Sequence, residues 1–148
     1  MPWGEAATIG TWLLIIHGTM LWQGGQNSNS VSVVTWTGLG LYGLGAYLNT
    51  MSEYQRMIWK RAPNHQGKLY TEGLFAYSMH VNYFGDVVAF TGFAMVAARP
   101  YAFLIPAIMA VLFITINIPM LDKYLAERYA DQFKAYAKST KKFIPYIY

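Results

Sequence analysis

The chain has 148 residues, of which 55% are hydrophobic, 17% aromatic and only 12% charged, with a mean hydropathy of +0.23. Soluble domains carry about 25% charged residues, so too little polar sequence remains here to cover a water-exposed surface around the apolar stretches described below. The net charge is +4 and there is no cysteine, which excludes disulfides and thiolate metal sites. No metal centre and no nucleic-acid partner are expected.

Four apolar stretches stand out, at residues 6–23, 31–49, 83–98 and 101–120. Each approaches the ~20 residues that a helix needs to cross ~30 Å of hydrocarbon. The expected fold is therefore all-α: a polytopic membrane helix bundle of about four spans, read as one domain over residues 1–148. The first stretch lacks a basic leading region and a small-residue cleavage site, so it reads as a helix and not as a secretory signal. In the second, Gly38, Gly40, Gly43 and Gly45 remove side chains and let a neighbouring helix approach closely. The third is the shortest, so its span must borrow residues from the polar segment at 73–86 or be partly re-entrant. In the fourth, Pro106 and Pro119 lack an amide donor and can bend the helix.

Basic residues cluster between the second and third stretches (Arg56, Lys60, Arg61, Lys68) and after the fourth (Lys123, Arg128, Lys134, Lys138, Lys141, Lys142), whereas the loop at 24–30 carries no charge. The positive-inside tendency then places both basic regions and both termini in the cytoplasm. Anionic lipid headgroups are a sufficient partner for the last lysines. Beyond Met120, the apolar side chains Leu121, Leu125, Tyr129, Phe133 and Tyr136 recur at spacings of four and three, which predicts an amphipathic helix lying on the cytoplasmic surface. Pro145 forbids a regular continuation, and the aromatic end suits the membrane interface or a docking groove.

Polar chemistry gathers in three elements. Gln55, Arg56 and Lys60 follow the second stretch, and the spacing of the two cations places them on one helical face, where an anion between them would relieve their repulsion. Residues 73–86, GLFAYSMHVNYFGD, put His80, Asn82, Tyr83 and a carboxylate at the start of an apolar helix, where polar groups need each other, water or a ligand as partners. Phe75 and Tyr77 offer flat surfaces for a ring. The third element carries Asp122, Arg128, Tyr129 and Tyr136.

These elements resemble, in order, three motifs of the membrane sterol reductases and the steroid 5-alpha-reductase C-terminal domain. Residues 73–86 are similar to an Arg-His-Pro-Asn-Tyr-x-Gly-Asp/Glu signature. Residues 53–60 resemble Asn-x-Gln-Lys-x-x-Phe-Arg. The ending, with Asp122, Arg128-Tyr129, Phe133, Tyr136 and Ile144-Pro145, is similar to the family's C-terminal pattern. The resemblance covers residues 47–148 and implies a cytoplasmic NADPH site used to saturate a carbon–carbon double bond of a sterol, steroid or other lipid. It implies cofactor contacts from Gln55, Arg56, Lys60, Phe75, His80, Asn82, Tyr83, Asp122, Arg128, Tyr129 and Tyr136, with His80 and Tyr83 as candidate proton donors. Met79 stands where the family has Arg and Val81 where it has Pro. Losing that Arg removes a fixed charge and five donors. Full-length reductases carry further N-terminal spans, for which Glu5 and His17 are conceivable substitutes; self-association or a larger membrane complex would also complete the pocket.

Two other functions fit the same scaffold. The isoprenylcysteine carboxyl methyltransferases share a His-Pro-x-Tyr motif and an Ile-Pro ending and would imply S-adenosylmethionine. A non-catalytic membrane subunit would keep the scaffold without the chemistry.

Overall fold

A computed structural model describes Gly18, Trp22 and residues 32–148. The first expected span, at 6–23, the uncharged loop at 24–30, Glu5 and His17 lie outside those described residues, apart from Gly18 and Trp22, each of which is helical. Among the described residues the fold is helical, without strands.

Helix α1 spans Val33–Arg61, 29 residues, and starts at Ser32, whose hydroxyl accepts from the Thr35 N–H at 3.3 Å. The apolar stretch ends at residue 49, and the helical spacing of Arg56 and Lys60 lies beyond it. No Gly or Pro interrupts residues 50–61, so the helix runs on until Ala62, whose helical conformation is disfavoured by Pro63. The apolar stretch and the first polar element therefore share one rod.

The return loop packs on the last turns of α1. His65 stacks on Trp59 with ring centroids 3.9 Å apart, and Trp59, Tyr70 and Phe75 continue as an aromatic chain. Gly73 has φ 60°, and a Cβ there would meet Gln55 Oε1 and the Tyr70 hydroxyl, so this position requires glycine on both counts. A 3-10 turn, Gly73–Ala76, then leads into α2, Val81–Ala97.

Helices α1 and α2 are antiparallel and meet through glycine. Gly38 lies against Gly92, and Gly45 against Gly85 and Ala89; a Cβ at either α1 position would run into α2 backbone. Among the described residues, nothing stands within 4 Å of a Cβ built at Gly40 or Gly43. Gly38 and Gly45 thus form the seam with α2, and Gly40 and Gly43 fall on a different face of the helix.

After a left-handed turn at Ala98, the chain is helical from Pro100 to Ser139. It comprises a 3-10 turn, α3 (Leu104–Leu112), a π-helical turn (Phe113–Asn117) and α4 (Ile118–Ser139). Pro106 falls in the first turn of α3, where an amide donor is dispensable, and the π turn immediately before Pro119 accommodates its missing N–H. The amphipathic segment is thus a continuation of the fourth apolar stretch. The break in backbone comes at Ala130 (φ 41°, ψ −110°). Pro100–Ser139 has the length and apolarity to cross a membrane, and Val81–Ala97 is a shorter apolar helix.

Candidate functional site

The end of α1, the loop and α2 start, and α4 enclose one cavity of about 410 Å³. Glu53, Arg56 and Lys60 line it from α1; Leu69, Tyr70, Phe75, Met79, His80, Asn82 and Tyr83 from the loop and α2; Leu121, Leu125 and Tyr136 from α4. The volume is within the ~300–1,000 Å³ of small-molecule sites, at the lower end.

Each wall is fixed by a contact from another element. Gln55 does not line the cavity; its Oε1 accepts the Leu74 N–H at 3.0 Å and anchors the loop. The Tyr136 hydroxyl donates to the Phe75 carbonyl at 2.5 Å, and burial, followed by the charge of Asp122 and then Tyr70, pushes that phenol well above its usual range. The tail folds back on the motif: Met79 N–H donates to the Lys141 carbonyl at 2.8 Å, the Ser78 hydroxyl to that of Phe143 at 2.8 Å, and Phe143 is buried. The aromatic end is thus docked on its own chain through Phe143. Tyr77 was expected to offer its ring to a ligand; it is instead exposed and lies near Tyr146, outside the cavity.

The α4 stripe has a different role from the one expected of a surface helix. Leu121, Leu125 and Tyr136 face the cavity, and Tyr129 and Tyr136 are buried. Tyr129 lies behind the rim, its hydroxyl 3.5 Å from Lys60 Nζ. Arg128 is exposed and turned away, with Nη1 donating to the Tyr124 hydroxyl at 2.5 Å and its guanidinium carbon 5.6 Å from the Tyr129 ring centroid. Asp122 is absent from the lining but holds a residue that belongs to it: His80 Nε2 donates to Asp122 Oδ1 at 2.9 Å. Lys142 Nζ is 3.2 Å from the other carboxylate oxygen.

Glu53 changes the electrostatics of the first element. Its Oε2 receives Nε and Nη2 of Arg56 at 3.0 and 2.5 Å, while Oε1 accepts from Asn82 Nδ2 at 3.0 Å. A carboxylate of the chain itself thus pairs with Arg56, and among the described residues Lys60 forms no ion pair. The signal of the Arg56 pairing in the sequence was the spacing of three between Glu53 and Arg56, which puts them on adjoining helical positions. Tyr83 stacks on Phe113 of the π turn at 4.6 Å and, more distantly, parallel to His80 at 5.8 Å. Its hydroxyl has no hydrogen-bond partner among the described residues and is free to meet a ligand.

Arg56, Lys60, Phe75, His80, Asn82, Tyr83 and Tyr136 therefore share one cavity, Asp122 and Tyr129 support it from behind, Gln55 is structural, and Arg128 lies outside. Leu69, Tyr70, Leu121 and Leu125 join the lining without having been expected there, and Glu53 and Met79, which stand within the first two polar elements, line it too. Among the described residues no group of three or more His, Cys, Asp or Glu side chains is arranged to hold a metal ion.

No curated protein matches the chain. A sequence family does match, over residues 8–140. The chain belongs to that family, described as protein of unknown function (DUF1295), which is steroid 5-alpha-reductase-like.

Proposed function

We propose that the protein is a membrane-embedded, NADPH-dependent reductase of a carbon–carbon double bond in a sterol, steroid or other lipid. The observation that carries this reading is the convergence of three distant polar elements on one aromatic-lined cavity with cations on one side. The donor set suits a nucleotide: Arg56 is 44% exposed in its side chain and Lys60 is exposed, so phosphate oxygens can reach both, and Phe75, Tyr83 and His80 supply flat walls. Arg56, Lys60, Asn82 and Tyr136 would hold the cofactor, which supplies a hydride when bound. The chain's part is to orient the lipid and furnish a proton. The Tyr83 hydroxyl and His80, which is bonded to Asp122, are the candidates for that transfer, and their rings lie parallel with centroids 5.8 Å apart.

The membrane setting is supported by Pro100–Ser139, whose most apolar window is only 11% buried inside the protein. Apolar surface of that extent needs an apolar surrounding. The proposed topology keeps both basic regions and the nucleotide cavity on the cytoplasmic side, with association into an oligomer or larger complex as the route to a complete lipid pocket.

One observation favours a second reading. Glu53 puts a carboxylate on the cavity wall and neutralises Arg56, and Met79 brings no charge where the resembling reductases have Arg. A cationic ligand such as S-adenosylmethionine is served by a carboxylate beside aromatic faces. Thermal stabilisation of the purified protein by NADPH, NADH and S-adenosylmethionine separates the two, because a ligand that binds only the folded state raises its stability by mass action. Stabilisation by NADPH is the expected result. Stabilisation by S-adenosylmethionine alone establishes a methyltransferase-type site, and a response to none of the three leaves the non-catalytic subunit.

A further inference from the structure

We propose that a second, smaller cavity beside Asp86 binds the hydroxyl end of an apolar molecule. The cavity measures about 190 Å³ and lies between α1 and α2, beside the close approach of Gly45 to Gly85. It shares no lining residue with the larger cavity, so it is a separate place on the molecule. Ala46 and Ala89 leave the space, Tyr42 and Phe90 flank it with rings, and Thr50 adds a hydroxyl.

The polar feature is Asp86. Asn49 Nδ2 donates to Asp86 Oδ1 at 2.8 Å and to the Asn82 carbonyl at 3.2 Å, so both protons of that amide are committed. The other Asp86 oxygen has no hydrogen-bond partner among the described residues. Nor, among the described residues, does any cation pair with it: the ion pairs there are Arg56 with Glu53 and His80 and Lys142 with Asp122. A carboxyl within an apolar helix and without a cation needs a further donor, and such groups mark ligand sites. A hydroxyl brings that donor without a second charge to bury, whereas an anion would be repelled.

Size fixes how much of the ligand enters. At about 190 Å³ the cavity is smaller than the ~300–1,000 Å³ that takes a whole drug-sized ligand, so it admits one end of a molecule. The remainder extends along the face that carries Tyr42 and, one turn away, the exposed Leu39. This is the arrangement a long-chain or polycyclic alcohol needs.

The test uses the detergent-solubilised full chain and dicyclohexylcarbodiimide, an apolar reagent for carboxyl groups, with the adduct located by peptide mapping. Asp86 is expected to be labelled, and Asp86→Asn to lose that label while keeping its helical circular dichroism. In the unaltered protein, hexadecanol at ten times its dissociation constant is expected to slow labelling about tenfold, and hexadecane to leave it unchanged. An unlabelled Asp86, no protection by hexadecanol, or equal protection by hexadecane overturns the proposal. The nucleotide reading has its own readout in thermal stabilisation, so either idea can fail without the other.

Discussion

His80 and Asp122, separated by 42 positions, are joined by a hydrogen bond of 2.9 Å that ties the motif to the long C-terminal helix. The imidazole is 1% exposed and the carboxylate side chain 14%. Burial alone would raise the Asp122 pKa, but the hydrogen bonds and charges of His80 and Lys142 outweigh it and hold the carboxyl below its ordinary 3.8. A carboxyl lowered in the folded state adds stability that is complete above its unfolded value and lost as pH falls through the lower folded one. The unfolding temperature in detergent should therefore drop as pH falls below about 4, and Asp122→Asn should flatten that slope. At neutral pH the variant should cost about 1.5–3 kcal/mol, the range for a hydrogen bond to a charged group. An acid slope unchanged in Asp122→Asn would remove this pair from the account of stability.

Two glycines on one helix should respond with opposite sign. A Cβ at Gly45 would overlap the backbone of Gly85 and Ala89, so Gly45→Ala must push α1 from α2 and should destabilise by about 1–3 kcal/mol, the usual cost of overpacking. At Gly43 nothing among the described residues lies within 4 Å, and Gly43→Ala should gain up to about 1 kcal/mol from helix propensity. Denaturation of the two variants side by side checks the seam; equal effects would mean that the helices do not meet there.

Tyr136 closes the cavity by donating to the Phe75 carbonyl. Tyr136→Phe keeps the ring and deletes the donor, leaving a buried carbonyl unsatisfied at a cost of about 1–3 kcal/mol. Loop residues 73–77 should lose protection in amide hydrogen exchange, while α1 and α2 away from the loop keep theirs. Uniform loss across the molecule would show a global effect instead of a local one.

The sequence carried the helices and the gathering of polar elements because both are written in local pattern: apolar runs, glycine spacing, and charges at intervals of three and four. The apolar stretch and the helical spacing of Arg56 and Lys60 were both legible, and with no Gly or Pro to stop the chain in residues 50–61 they join into one helix that runs until Pro63. The Leu121/Leu125/Tyr136 stripe was legible as a face, but periodicity cannot say what a face meets, and here it meets the motif loop. Asp122 and Tyr129 were drawn into the site by resemblance, and distance then sorts them into supporting roles. The Glu53 bridge needed coordinates, because Asn82, its second partner, is 29 positions away.

Glu53 provides the substitution that separates the two cofactor readings by sign. Its carboxylate occupies Arg56 and accepts from Asn82, two groups that a phosphorylated ligand needs. Glu53→Gln keeps an acceptor for Asn82, removes the negative charge, and leaves Arg56 free for phosphate. If the site takes NADPH, affinity measured by thermal shift or calorimetry should rise about tenfold, roughly 1.4 kcal/mol. If it takes S-adenosylmethionine, the lost carboxylate removes a partner of the sulfonium, and affinity should fall by a similar factor. Arg56→Ala gives the complementary arm: NADPH binding should weaken, whereas binding of a cation beside Glu53 should hold or improve, since the competing guanidinium is gone. Parallel losses for NADPH in both variants would contradict the proposed competition between Glu53 and phosphate for Arg56.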